Sequence, residues 1–327
     1  MIAPLSNWQQ DLANAFTHPI DLLQYLGIYD AGFSLAAKQN FAMRVPRSYA
    51  ECMRKGDLND PLLKQILPIA DELNSPAHYK NDPVGDLSAL TENCIIHKYH
   101  GRVLFITTGG CAINCRFCFR RNFPYSEVQL NKQNTHTALE YLTNDASITE
   151  VILSGGDPLL LSDTNLVELI SKLVKVPHLK RIRIHTRIPI VLPSRITPNL
   201  INTLNNAALP IILVMHCNHA NELSQQVTAA CISLKQTNIS LLNQTVLLKD
   251  INDSSEVLQK LSEKLFASGI LPYYLHLLDR AIGTAHFEIQ EEKAIKIHQQ
   301  LQQILPGYLV PKLVKEQAGA VAKSLII

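Results

Sequence analysis

Three cysteines lie close together in the segment GGCAINCRFCFRR. Three residues separate Cys111 from Cys115, and two separate Cys115 from Cys118. Zinc takes four protein ligands in structural sites, or three and a water in catalytic ones, and the further candidates Cys94 and His136 stand at no finger-like spacing. A short loop can instead wrap three corners of an iron–sulfur cubane, which thiolates hold. The spacing therefore favours a cluster whose fourth iron is open to a small ligand.

The elements that must position this segment alternate between strands and helices. Short apolar runs predict strands, and a stretch with helical spacing follows each of them. Such βα units in series predict parallel strands joined by crossover helices. An open doubly wound sheet fits the same order of elements. The predicted strands are Arg102 to Thr108, Glu150 to Gly155, Arg181 to Thr186, Leu209 to His216, Ser240 to Leu248 and Tyr273 to Asp279.

Polar groups follow nearly all of these strands, in TTGGC, SGGDP, HTR, HCNH and the aspartate of LLD. In βα barrels the active site is assembled at this rim from several strands. The sequence therefore predicts an α/β fold, a partial (β/α)6 barrel with an open side. We expect a helical N-terminal region at 1–95, the barrel core at 96–290, and a C-terminal helix with a short final segment at 291–327.

Composition narrows the class of protein. The 327 residues carry 30 basic and 28 acidic side chains, a net charge of +2, which is too mild to predict nucleic-acid binding. The clearest apolar run, LPIILVM, is too short to span a membrane. Seven cysteines, an odd number, do not suggest a disulfide framework. We therefore expect a cytoplasmic protein with no nucleic-acid or membrane partner.

The cysteine motif resembles that of a known superfamily. CAINCRFC fits the CxxxCxxC signature of the radical S-adenosylmethionine (SAM) enzymes, with an aromatic residue, Phe117, before the last cysteine. The resemblance implies a [4Fe–4S] cluster on Cys111, Cys115 and Cys118, whose open iron chelates SAM. It also implies the partial barrel that the strand count predicts.

From residue 97 to residue 323 the chain further resembles the lysine 2,3-aminomutases, which also use pyridoxal 5′-phosphate (PLP). The matching segments include SGGDPLLLSD, VLPSRIT, HCNHANE, NQTVLLKDIND and YYLHLLD. The resemblance is strongest to the bacterial branch that makes (R)-β-lysine for modifying elongation factor P. It implies an isomerase acting on L-lysine, with elongation factor P or its lysyl-ligase as a partner and a donor such as flavodoxin supplying electrons.

The resemblance also assigns roles to single residues. For SAM it implies Gly155, Gly156, Asp157 and His216, although SGGD alone also suits a tight turn and His216 alone an ordinary core or rim histidine. For PLP it implies Lys323 as the covalent attachment point, with Tyr99, Arg102 and Gln244 at the ring and phosphate; Lys98 stands where the family has arginine. For lysine it implies Arg120 at the carboxylate, and Asp279 and Glu316 at the ε-ammonium. Taken alone, Arg120 suits a surface turn, Asp279 a helix N-cap and Lys323 an ordinary tail lysine.

Three other functions fit parts of this pattern. A radical SAM enzyme without PLP could modify a peptide or nucleic acid, but the Lys323 match opposes it. A non-enzymatic redox or iron sensor would need no polar groups at several strand ends. An aminomutase for glutamate or another amino acid would keep the fold, but acids at Asp279 and Glu316 favour lysine.

Overall fold

A computed structural model describes residues 7–92 and 94–326. The first half of the N-terminal region is helical, as predicted, and Asp60 begins one of its helices by accepting hydrogen bonds from the amides of Leu62 and Leu63 at 2.8 and 3.1 Å. The sequence DP therefore acts as a helix start. The helices here are α1 (Asn7–Ala13), α2 (Pro19–Leu26), α3 (Leu35–Asn40), α4 (Arg47–Ala50) and α5 (Pro61–Lys64).

One ten-stranded sheet, in sequential order, forms the body of the protein. Strands β3 to β9 are parallel, β1 and β2 extend one side antiparallel, and β10 pairs antiparallel with β9. The strands are β1 (Leu90–Thr91), β2 (Ile95–Tyr99), β3 (Arg102–Thr108), β4 (Glu150–Gly155), β5 (Arg181–Thr186), β6 (Ile211–His216), β7 (Ser240–Val246), β8 (Leu271–His276), β9 (Lys312–Lys315) and β10 (Ser324–Leu325).

The sheet confirms the α/β fold and the partial barrel. All six predicted strands are present as β3 to β8, and the ends of the sheet, β1 and β10, do not pair with each other in the described part of the chain. Two details differ from the prediction. The strand β8 ends at His276, so Asp279 lies three residues beyond it. The strand β9 adds a seventh parallel strand that KLVK did not predict, because two apolar residues between lysines show no strand period.

Helices cover the outer face of the sheet. Serine or threonine side chains cap several of them, since Ser162, Thr197, Ser224 and Ser254 each accept from an amide of the first turn. The remaining helices are α6 (Thr135–Asn144), α7 (Asp163–Leu173), α8 (Ile188–Val191), α9 (Pro198–Asn205), α10 (Gln225–Lys235), α11 (Ser255–Ala267) and α12 (Glu291–Ile304). The apolar faces of these helices and the sheet form one continuous core. The carboxyl ends of the strands lie at its edge, where polar side chains can form a site.

None of the described helices is long and apolar enough to cross a membrane.

Candidate active site

A cavity of about 950 Å³ opens at the carboxyl ends of the parallel strands. Its size lies at the upper end of the range for small-molecule sites. The sheet, the cysteine loop and the segment between the last two strands all contribute to its wall. Every residue that the sequence assigned to a site lines it: Cys111, Cys115, Cys118, Tyr99, Arg102, Gln244, Lys323, Gly155, Gly156, Asp157, His216, Arg120, Asp279 and Glu316.

The cysteine loop is tied to the N-terminal region by a buried arginine. The Arg116 side chain is fully buried, and its Nε donates to Oε1 of Glu72 at 2.8 Å. Its Nη1 donates to the carbonyl of Phe41 at 2.6 Å, and Arg121 shares the Glu72 carboxylate at 2.7 Å. A buried charge held by a carboxylate and carbonyls has little freedom to move. Arg116 and Arg121 therefore fix the loop that carries the cysteines.

The three clustered thiols lie where a bound cation would stabilise their deprotonated form. Burial raises the pKa of Cys118 to about 11, and burial together with the neighbouring Cys118 raises that of Cys111 well above its usual range. Thiolates at such a place need a nearby cation, and metal binding supplies one while releasing the protons. Three adjacent thiols facing one cavity fit an iron–sulfur cluster.

Two further metal ligands considered from the sequence lie elsewhere. Cys94 belongs to the hydrophobic core, and His136 is an exposed residue of α6 that lies 3.3 Å from Glu140. Apart from the three clustered cysteines, no group of three or more His, Cys, Asp and Glu side chains in residues 7–92 and 94–326 is placed to hold a metal ion.

The glycines after β4 allow two loops to touch. Gly155 has a φ of +113°, which disfavours any side chain. A Cβ on Gly156 would lie 2.1 Å from the carbonyl oxygen of Gly110, in the loop that leads to Cys111. The Gly156 amide donates to the carbonyl of Thr108 at 2.7 Å. The SGGD loop therefore brings its backbone against the start of the cysteine loop, beside the thiols.

Asp157 organises the strand ends around it. Its carboxylate accepts from the Thr186 hydroxyl at 2.7 Å and from the amides of Arg187, Ile188 and Leu159 at 2.8, 3.1 and 3.1 Å. Burial raises its pKa to about 6 although these bonds oppose the shift. Both carboxylate oxygens of Asp157 are already engaged within the protein. Asp157 can therefore act on a ligand only indirectly, by fixing the loop that carries Gly155 and Gly156.

His216 closes the end of β6. Its Nε2 lies 3.2 Å from Oδ1 of Asn218, and its ring lies 5.4 Å from that of Phe117 in the cysteine loop. Burial, with the nearby Arg187 charge, lowers its pKa to about 3. His216 is thus a neutral imidazole beside the cysteine loop.

Glu316 joins two lysines at the other side of the cavity. It directly follows β9, and its carboxylate pairs with the Lys323 ammonium and, at 3.1 Å, with that of Lys98. Burial would raise the pKa of Glu316, but the two ammonium groups hold it well below its usual range. Both of its oxygens are therefore engaged with protein lysines.

Arginines and histidines at the inner end of the cavity fit an anionic aromatic cofactor. The Arg102 guanidinium lies 4.7 Å from the ring centre of Tyr99, and Arg183 faces the same cavity. The Nε2 atoms of His185 and His276 are buried with no hydrogen-bond partner among the described residues. Guanidinium groups suit a phosphate, and buried polar atoms without partners point to a bound group. With Lys323 in the same cavity, these residues fit PLP.

Arg120 is held by an aspartate that sequence reasoning missed. Its Nε donates to Oδ2 of Asp86 at 2.7 Å and its Nη1 to Oγ of Ser154 at 3.3 Å, which leaves Nη2 without a partner among the described residues. Asp86 also pairs with Lys98 at 2.5 Å. Burial opposes ionisation of Asp86, but the Arg120 and Lys98 charges lower its pKa. Lys98 thus sits between Asp86 and Glu316.

Asp279 is a carboxyl group that forms no ion pair with any of the described residues. Burial and the Glu316 carboxylate raise its pKa to about 7, although Lys323 opposes the shift. An ammonium group arriving beside Asp279 would relieve this desolvation and lower the pKa.

The sequence did not single out several other polar residues of the cavity. Asp86 comes from a connector with no periodicity, so no local pattern marked it. Arg187 was noted only as the last letter of the strand end HTR. Asp86 and Arg187 could have been identified only by asking which charged residues pair with the buried polar groups at the strand ends.

The fold and the cavity together define a radical SAM protein, and residues 105–259 match the family model described as Radical SAM superfamily. A crystal structure of a radical SAM methyltransferase from Sphaerobacter thermophilus overlaps 68% of this chain and 68% of its own, with a TM-score of 0.43 and 18% identity.

Closer relatives share the name L-lysine 2,3-aminomutase. The protein of that name from Escherichia coli (strain K12) is 45% identical over 97% of this chain and 94% of its own length. The one from Haemophilus influenzae is 44% identical over 98% and 95%, and the one from Clostridium subterminale is 34% identical over 99% and 79%. The chain belongs to the lysine 2,3-aminomutase family. Membership makes it an isomerase of the aminomutase type and implies a [4Fe–4S] cluster, SAM and PLP as cofactors.

Proposed function

We propose that this protein converts L-lysine to β-lysine by moving the amino group from the α- to the β-carbon. One observation carries the proposal: a single cavity is lined by three cysteine thiols, a lysine suited to PLP, the Arg120 guanidinium and the Asp279 carboxyl group. Among the described residues, Nη2 of Arg120 has no acceptor and Asp279 has no paired cation. The first two features are what a PLP-dependent radical SAM enzyme requires. The last two match the carboxylate and ε-ammonium of lysine.

Different residues of the cavity would bind each of the three cofactors. Cys111, Cys115 and Cys118 would hold the cluster, while the backbone of Gly155 and Gly156, positioned by Asp157, and the side chain of His216 would contact SAM. Lys323 would carry PLP, with Tyr99, Arg102 and Gln244 at its ring and phosphate. When bound, the cluster with SAM supplies a carbon radical, and PLP supplies a π-system that stabilises an unpaired electron.

The protein's own part is to hold lysine still. Arg120, with its Nε fixed by Asp86, presents its remaining donors to the substrate carboxylate, a geometry suited to bidentate capture. Asp279 and, once Lys323 is engaged elsewhere, Glu316 offer charge to the ε-ammonium. Holding the two ends of lysine would place the β-carbon at one point of the cavity, and such positioning accounts for much of the rate in enzymes.

The substrate preference can be tested by comparing two amino acids. Reconstituted protein is incubated anaerobically with SAM, PLP, dithionite and either L-lysine or L-glutamate, and β-amino acids are measured by mass spectrometry. We expect β-lysine only, because Asp279 and Glu316 repel a second carboxylate. Formation of β-glutamate at a similar rate would overturn the choice of lysine.

Replacing Asp86 by asparagine should weaken lysine binding. Arg120 would lose the charged partner that orients it, and a hydrogen bond to a charged group is worth about 1.5–3 kcal/mol. We therefore expect KM for lysine to rise roughly ten- to a hundredfold in steady-state assays, with iron and PLP contents unchanged.

Asp82 offers a matched control for that change. Its carboxylate accepts from the amides of Asp86 and Leu87 in the same loop at 2.8 and 2.9 Å. We expect Asp82→Asn to change KM far less than Asp86→Asn. Equal effects of the two substitutions would show that Asp86 merely shapes the loop.

The raised pKa of Asp279 predicts how lysine use depends on pH. Below a pH of about 7 the carboxyl group is protonated and neutral, and above it the carboxylate can pair with the ε-ammonium. We expect kcat/KM for lysine to fall about tenfold per pH unit below that break. Asp279→Asn should raise KM and remove the break from the pH profile. A break that persists in the asparagine variant would assign it to another group.

The finer assignments rest on the resemblance to the branch that serves elongation factor P. We propose that the product is the R isomer, that a lysyl-ligase attaches it to this factor, and that a donor such as flavodoxin supplies electrons in the cytoplasm. Relatives at 42–45% identity, against 32–36% for others, support a distinct branch. Chiral chromatography of the product tests the first point, and S-β-lysine would refute it.

A further inference from the structure

A buried arginine contacts one cysteine of the cluster loop. Arg187 directly follows β5 and is 6% exposed. Its Nη1 lies 2.6 Å from Sγ of Cys115. Among the described residues, this is the one side-chain hydrogen bond to any of the three clustered sulfurs. The proposed function gives Arg187 no role.

The guanidinium is held in place from two sides. Its Nη2 donates to Oε2 of Glu222 and Oε1 of Gln65, each at 2.8 Å, and contacts the Tyr49 hydroxyl at 3.3 Å. Glu222 and Gln65 are fully buried. Gln65 and Tyr49 belong to the N-terminal region, and Glu222 to the segment after β6. The planar group therefore cannot turn away, and Nη1 stays directed at Cys115.

The partners of Arg187 are themselves fixed. Oε1 of Glu222 accepts from the amides of Asn218 and His219 at 3.0 and 2.9 Å and from Nε2 of Gln65 at 3.2 Å. The Arg187 amide donates to Asp157, in the loop that meets the cysteine loop. Nε of Arg187 has no hydrogen-bond partner among the described residues, but a buried network joined by this many hydrogen bonds favours one arrangement. The contact with Cys115 is thus built into the fold.

A hydrogen bond to a ligating sulfur changes the redox chemistry of an iron–sulfur cluster. Reduction adds one electron, so the cluster becomes more negative. A positive charge and a donor at one sulfur stabilise that state and raise the reduction potential. Burial strengthens the effect because the local dielectric is low.

We propose that Arg187 is a positioning residue that raises the reduction potential of the [4Fe–4S]²⁺/¹⁺ couple through its bond to Cys115. The couple takes up one electron from a low-potential one-electron donor, and no bond to the protein forms or breaks. This inference rests on the cluster site of the proposed function. The contact between Arg187 and Cys115 would make the cluster easier to reduce before SAM is cleaved.

The test is an anaerobic redox titration of the reconstituted protein without SAM, followed by the EPR signal of the reduced cluster. We expect Arg187→Gln to make reduction at least tenfold less favourable, a shift of about −59 mV for one electron. Arg187→Lys keeps the charge and should shift the potential less. Arg195→Gln is the matched control. Arg195 is fully buried, pairs with Asp163 and donates to the carbonyls of Leu159 and Leu161, so its replacement should leave the potential unchanged.

A second measurement takes its deciding result from the wild-type protein. Wild-type protein labelled with guanidino-¹⁵N arginine should show a ¹⁵N hyperfine coupling in pulsed EPR of the reduced cluster, and Arg187→Lys should remove it. A wild-type potential in Arg187→Gln, or no coupling in the labelled wild type, would overturn the inference. A wild-type protein that holds no cluster would instead refute the proposed cluster site.

Discussion

Replacing Lys323 by alanine will abolish PLP binding and the rearrangement of lysine while leaving the cluster intact. The Lys323 ammonium lies in the cavity, 23% exposed and paired with Glu316, which orients it toward the space beside the strand ends. Covalent attachment of PLP needs a lysine amine, and the proposed function assigns that role to Lys323. We expect the absorbance of protein-bound PLP to disappear and turnover to fall to background, with wild-type iron content and EPR signal.

Lys315 provides the control for that result. It is the last residue of β9 and pairs with Glu291 at 2.7 Å, outside the cavity wall. Lys315→Ala should bind PLP as the wild type does. A Lys323→Ala protein that still carried PLP and rearranged lysine would show that the cofactor is attached elsewhere.

Replacing Cys118 by alanine should give the opposite pattern. Three thiols are the minimum for this cluster, and no further metal-binding set is present in residues 7–92 and 94–326 to replace one. We expect loss of iron, of the reduced-cluster EPR signal and of SAM cleavage, while Lys323 still binds PLP. The two substitutions would thus separate the two cofactors that share the cavity.

A cysteine outside the cavity tests whether the loss is specific. Cys52 follows α4, and its thiol donates to the carbonyl of Ser48 at 3.4 Å. Cys52→Ala should keep the cluster and turnover. Full iron content in Cys118→Ala would contradict the assignment of the ligands.

Local patterns were enough to predict the main frame. The apolar runs of β3 to β8 each have the length and flanking turns of a strand, and the spacing of Cys111, Cys115 and Cys118 lies within one loop. The resemblance to a family then placed distant residues such as Lys323, which no periodicity marks. All of these residues line the same cavity.

Long-range charge pairing could not be predicted in this way. Glu72 and Arg116 are far apart in the chain, and neither is marked by its neighbours, yet they form a buried pair behind the cysteine loop. Asp86 lies in an irregular connector and meets Arg120 only because that connector passes over the strand ends. Glu316, which the resemblance assigns to the substrate ammonium, also pairs with two protein lysines that its neighbours in the sequence do not indicate. Such partners are decided by tertiary packing.

In the proposed function, one cavity holds the cluster, SAM, PLP and lysine together for a single reaction. The most direct test is an anaerobic incubation of reconstituted protein with SAM, PLP, dithionite and L-lysine, beside mixtures that each omit one component. We expect β-lysine in the complete mixture alone. Absence of β-lysine from the complete mixture, with the cluster intact and PLP bound, would contradict the account.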